Sequence, residues 1–121
     1  DQAPAGTLSA HRIPDDARLR ADPVFIANFS CHGDSIDVSG PGVGIISTVP
    51  GGGWAAYGGT SMAAPQVTGA LAGLLADDAD YTALPADATR TARARRVLVD
   101  HSRDLGLDRI YQGHGQLRRL S

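Results

Sequence analysis

Apolar positions along this chain come first in short, closely spaced groups and then in one long run. Residues 1–22 hold few of them, scattered among Pro4, Gly6, Pro14 and the charged run "PDDARLRAD", a pattern that predicts a surface loop or insertion. "PVFIANFS" (23–30) predicts a short buried strand ending near Asn28. "SIDVSG" alternates Ile36 and Val38 with polar neighbours and predicts another strand. "VGIISTV" is a third β-rich run, closed by Pro50 and three glycines, and "WAAYGG" is a weaker strand ending at a glycine pair. At residue 62 the pattern changes. "MAAPQVTGALAGLLA" (62–76) has only Gln66 and Thr68 as polar positions, so it predicts a helix apolar nearly all round and buried on all sides. Gly69, Ala70 and Gly73 are small enough to let neighbouring backbone approach it closely. "DDADY" ends this helix, and Pro85 opens a second one with an arginine-rich side, "ADATRTARARRVLVDHS". "DLGLDRIYQGHGQLRRL" reads as a loop followed by a short closing element.

Short strands ahead of a central buried helix place the chain in the α/β class. Residues 23–121 form the folded portion and 1–22 the loop. A helix buried on all sides needs layers around it, and four short strands supply few. The chain is therefore expected to lack part of its fold.

The start of the long helix poses a chemical question, because "GGTSMAAPQVTG" (58–69) sets a serine beside a glycine turn. Proline has no N–H and is tolerated where that N–H would be unpaired anyway. Pro65 therefore predicts that regular helix begins near Ala63 or Ala64, with Pro65 in the first turn and Ser61 at or just before the N-terminus. One reading makes Thr60 or Ser61 an N-cap, the preferred role of a hydroxyl at that place. The other makes Ser61 a nucleophile, since unpaired amides and the positive end of the helix dipole stabilise an oxyanion there. Gly58 and Gly59 would leave room for a substrate backbone.

Composition narrows the partners. All eleven basic residues are arginine and all thirteen acidic ones aspartate, for a net charge of -2, which gives no reason to expect nucleic acid or an anionic membrane. The longest apolar run is too short to span a bilayer. "DQAPAGTLSA" has no charged n-region or apolar h-region, so no signal peptide is expected on this chain. Cys31 is the single cysteine and cannot form an internal disulfide.

"GTSMAAP" (59–65) resembles the nucleophile motif of the subtilisin-like serine peptidases. The preceding stretch is similar to that family's in Phe29, Ser30, Gly33, Asp37, Pro41, Gly42, Ile46, Ser47, Thr48, Pro50, Gly51 and Gly52, and "SRDLGLDRIYQGHGQL" resembles its closing segment. The likeness runs over roughly residues 23–117. It implies a serine endopeptidase acting on protein or peptide substrates, secreted, without a catalytic cofactor, structural calcium being possible in the family. Ser61 would be the acyl-enzyme nucleophile and its N–H one oxyanion donor. Met62 would pack beside it, and residues 57–59 would border the leaving-group side of the cleft. The implied fold is the C-terminal portion of a three-layer domain, with short parallel strands around the central helix and "DVSGPG" as a strand and turn of the sheet.

A serine needs a base, and the base an orienting acid. In the family both precede the serine, in "D(S/T)G" and "HGT.VAG" motifs, with an oxyanion asparagine in "AAGN"; none of these occurs here. His11, His32 and Asn28 lack that context. The resemblance thus implies a missing N-terminal half. Two alternatives stand beside it. One is an α/β-hydrolase-type esterase using Ser61, Asp104 and His114, although Ala63 takes the last glycine position of that fold's G-x-S-x-G elbow. The other is a non-catalytic remnant or binding module. Among lesser signals, "GPGVG" (40–44) reads as a turn and not a nucleotide loop. Arg90, Arg93 and Arg96 read as a solvated face without interleaved aromatics, and Asp77, Asp78 and Asp80 as a polar helix end and not a cation site.

Overall fold

A computed structural model describes residues 20–21 and 24–117. The loop expected at 1–22 lies outside it apart from Arg20 and Ala21, as does the end of the closing element. Strand β1 (Arg20–Ala21) pairs antiparallel with β2 (Val24–Phe25), so a boundary at residue 22 falls between paired strands. β3 (Ile45–Val49) and β4 (Gly53–Tyr57) form an antiparallel hairpin. Its turn carries Gly51 and Gly52 at φ 89° and 81°, a conformation that glycine adopts without a Cβ clash. Helix α1 (Thr60–Ala76) follows, then the short α2 (Ala79–Ala83) and α3 (Ala88–Asp100). β5 (Ser102–Arg103), α4 (Arg109–Gln112) and β6 (Gln116–Leu117) close the described chain, with β5 antiparallel to β6.

The mixture of helices and small sheets agrees with the α/β expectation, but the strand directions do not. All three sheets among the described residues are two-stranded and antiparallel. Among the described residues, parallel pairing is confined to one bridge, Ser39 to Gln116. The strand expected at "SIDVSG" is reduced to that bridge, fastened by Ser39 N–H donating to the Gly115 carbonyl at 2.8 Å and His114 N–H to the Asp37 carbonyl at 2.7 Å. "VGIISTV" and "WAAYGG" pair with each other, because the Pro50–glycine turn between them is short enough to close a hairpin.

The helix expected to be buried on all sides has no buried residue. Its main contacts among the described residues are with α3, α2 and the loop at residues 40–42. Gly69 has nothing within 4 Å of where a Cβ would stand, contrary to the close backbone approach expected there. The buried apolar residues, Ile26, Val97, Leu107 and Leu117, come from α3, the chain end and the strand region before residue 30. No described helix is long and apolar enough to cross a membrane.

Of the three arginines read as a solvated face, Arg96 is exposed, with Asp100 3.8 Å away on the same helix, but Arg90 and Arg93 fix α3, as does Arg95. Arg93 bonds the Asp78 carboxylate at 2.8 Å, Arg95 bonds Asp37 at 2.6 Å, and Arg90 donates to the Leu84 carbonyl at 2.5 Å while lying over the Tyr81 ring. Asp78 also caps α2 through the Tyr81 amide at 2.7 Å. The polar helix end read at residues 77–80 is thus a cap and an ion pair.

Candidate active site

Ser61 is the second residue of α1 and is exposed. The helix starts earlier than Pro65 suggested, and Pro65 sits in its second turn. There it can give no N–H to the Ser61 carbonyl, one intrahelical bond forgone. The capping role weighed for Thr60 or Ser61 falls away: Gly59 is the N-cap, and no side chain caps this helix. Met62 and Ala63 amides donate back to the Gly59 carbonyl at 3.0 and 3.2 Å. The Thr60 and Ser61 amides meet no backbone acceptor among the described residues. A hydroxyl and two open donors therefore share the positive end of a seventeen-residue helix.

The loop at residues 40–42 holds this end in place. The Gly59 amide donates to the Gly42 carbonyl at 2.8 Å. A Cβ at Gly42 would stand 2.9 Å from the Gly59 carbonyl oxygen, and one at Gly40 would stand 2.7 Å from Val67 Cγ2. Gly40 and Gly42 of "GPGVG" thus serve close packing against α1. A cleft of about 640 Å³ opens between this helix and the preceding segment, lined by Phe25, Ile36, Val38, Thr60, Ala63 and Val67 among others.

The described histidines lie elsewhere. His32 is exposed, its ring 5.6 Å from that of Tyr111. His101 Nδ1 lies 2.9 Å from the Val97 carbonyl at the end of α3. His114 places both ring nitrogens 3.0–3.1 Å from the Arg109 guanidinium. His11 is outside the described residues. Asp104 accepts from the Gly106 amide at 2.7 Å and from Gln112 Nε2 at 2.8 Å, and these bonds hold its carboxyl below the usual carboxylate range. No hydrogen bond joins Ser61 to Asp104 or His114 among the described residues. Nor is any group of three or more His, Cys, Asp or Glu side chains there placed to hold a metal ion.

The sequence reading missed Gln112. It is 4% exposed. Its Oε1 accepts from the Leu105 amide at 2.7 Å, and its Nε2 donates to Asp104 and to the Leu107 carbonyl. The "DLGLDRIYQGHG" segment is wound round this one amide, which no hydropathy pattern singles out. Gly113 and Gly115, at φ 64° and 103°, lay their backbone on the carbonyls of Asp37 and Arg103, where a Cβ would overlap them.

Known proteins resemble this chain in sequence. The subtilase family model matches residues 20–115. Subtilisin from Bacillus pumilus is 52% identical over 56 residues, 46% of this chain and 20% of its own length. Subtilisin E from Bacillus subtilis strain 168 is 52% identical over 56 residues, 46% of this chain and 15% of that protein. An intracellular serine protease from Paenibacillus polymyxa is 52% identical over 46 residues, 38% of this chain and 14% of its own. The matched stretches span a fifth or less of these relatives. The match runs through the hairpin, the Ser61 turn, α1 and most of the closing segment, and on that extent the chain belongs to the subtilase family.

Proposed function

We propose that the complete protein is a serine endopeptidase in which Ser61 is the acyl-enzyme nucleophile, and that this chain is the C-terminal part of its three-layer catalytic domain. The observation that carries the reading is the exposed Ser61 hydroxyl at the uncapped start of α1, beside the open Thr60 and Ser61 amides. Ser61 Oγ attacks the scissile carbonyl, and its proton passes to a base. The new C–O bond gives a tetrahedral oxyanion, which the Ser61 N–H and the helix end stabilise. Collapse expels the amine, which takes the proton, and water then hydrolyses the ester.

The base, its orienting aspartate and a side-chain oxyanion donor belong to the N-terminal half of that domain. The apolar side chains of α1, none of them buried, are what the remaining layers would cover. Protein or peptide substrates follow from the family. Secretion is part of the proposal by resemblance alone, and one relative is named an intracellular protease. The reading predicts that the complete protein cleaves peptides and that residues 1–121 alone do not. Replacing Ser61 with Ala should cost on the order of a millionfold in kcat, a magnitude that comes from subtilisin itself and not from this geometry. Peptide hydrolysis by the isolated chain would refute the reading, as would an unimpaired Ser61→Ala variant.

A further inference from the structure

Residues 37–42 lie between α3 and the start of α1, and both ends of this segment are fastened. At one end Arg95 of α3 donates to the Asp37 carboxylate through two nitrogens, Nη2 to Oδ1 at 2.6 Å and Nε to Oδ2 at 3.1 Å. The Asp37 carbonyl accepts from the His114 amide at 2.7 Å, and the Ser39 amide donates to the Gly115 carbonyl at 2.8 Å. Ser39 Oγ donates to the Gln112 carbonyl at 3.2 Å. At the other end Gly40 lies against α1, where a Cβ would stand 3.2 Å from the Ala63 carbonyl oxygen. The Gly42 carbonyl accepts from the amide of Gly59, two residues ahead of Ser61. Pro41, between the two packed glycines, has its φ fixed by its ring. A shift of Asp37 is therefore passed along to the Ser61 turn.

The ion pair suits positioning better than bulk stabilisation. The Arg95 and Asp37 side chains are 67% and 38% exposed, and a pair so open to water adds little to global stability. Its two-point fork, however, fixes direction as well as distance. Resting on the serine peptidase reading, we infer that Asp37 is a positioning residue for Ser61. Clamped by Arg95, it sets where the nucleophile turn stands, through residues 38–42 and the Gly42–Gly59 bond. The same helix supplies a contrast. Arg93 bonds Asp78 at 2.8 Å with the same chemistry, but that pair ties α3 to α2 at the end of α1 far from Ser61.

The test measures the rate of fluorophosphonate labelling, and kcat and KM for a peptide, in the complete protein, with circular dichroism checking that each variant is folded. Asp37→Ala and Arg95→Ala should each slow labelling about three- to fivefold, the bias that an exposed ion pair can supply. Each should lower kcat by a similar factor with KM little changed. The double variant should be no slower than either single one, because the two residues act as one clamp. Arg93→Ala should label at the wild-type rate. If folded Asp37→Ala and Arg95→Ala label as fast as wild type, the positioning role is overturned and the peptidase reading stands. The same holds if Arg93→Ala is slowed as much as they are, since general loosening of α3 would then account for the loss. If wild-type protein takes no label on Ser61 and cleaves no peptide, the peptidase reading fails and the positioning role falls with it.

Discussion

The Gly59 amide donates to the Gly42 carbonyl at 2.8 Å, and this bond ties a turn nearly twenty residues upstream to the start of the helix that carries Ser61. The approach requires glycine at position 42: a Cβ there would lie 2.9 Å from the Gly59 oxygen and 3.1 Å from Ala63 Cβ. Gly42→Val should therefore cost about 1–3 kcal/mol by overpacking, read as a lower urea midpoint. In the complete protein it should also lower kcat, because the end of α1 must shift.

Gln112→Leu removes the amide at the centre of the closing segment. The Leu105 N–H then loses its acceptor, and the Leu107 carbonyl loses its donor. Leaving buried polar groups unpaired costs about 1–3 kcal/mol. Urea unfolding should show that loss, and amide hydrogen exchange should quicken at Leu105 ahead of the α3 amides.

Acid should weaken the chain in a definite direction. The Arg95 hydrogen bond holds the Asp37 carboxyl below its ordinary 3.8, the Arg93 bond does so for Asp78, and the Gly106 amide for Asp104. A folded-state value lowered in this way stabilises the fold above pH 3.8, and the contribution fades as pH falls through the folded value. The denaturation midpoint should thus stay level from pH 7 to about 5 and fall towards pH 3. Asp78→Asn should flatten that fall, and added salt should shrink it, since Arg95 is exposed and Asp37 partly so.

The parts of the fold that local pattern controls were legible in the sequence. The 62–76 run and the arginine-rich stretch both form helices, α1 and α3, within two or three residues of expectation at most ends. Pro65 misplaced the start of α1 because "SMAA" continues the helix ahead of it, and Asp78 starts a separate α2 where the pattern showed only an ending. Strand pairing was not legible. Whether "SIDVSG" finds a partner depends on Gly115 and Gln116, more than seventy residues away, and it finds only one bridge. Ser61 stood out through its motif and helix position. Gln112 did not, because its role comes from the loop folded round it.

Gly69 separates the isolated chain from the proposed complete domain. In this chain nothing lies within 4 Å of its absent Cβ, so Gly69→Ala should stabilise residues 1–121 by about 0.5–1 kcal/mol through helix propensity. In a complete domain that covers α1, the same methyl should meet neighbouring atoms and lower stability. Paired denaturation curves of the two forms would show opposite signs. Equal stabilisation of both would mean that α1 stays uncovered.

The claim that Ser61 is the nucleophile is tested most directly by a fluorophosphonate adduct located by peptide mass. The complete protein should be labelled at one serine, on the peptide containing residues 58–69, and the Ser61→Ala variant should take up no label there. An adduct on another serine, or equal labelling of wild type and Ser61→Ala, would contradict the account.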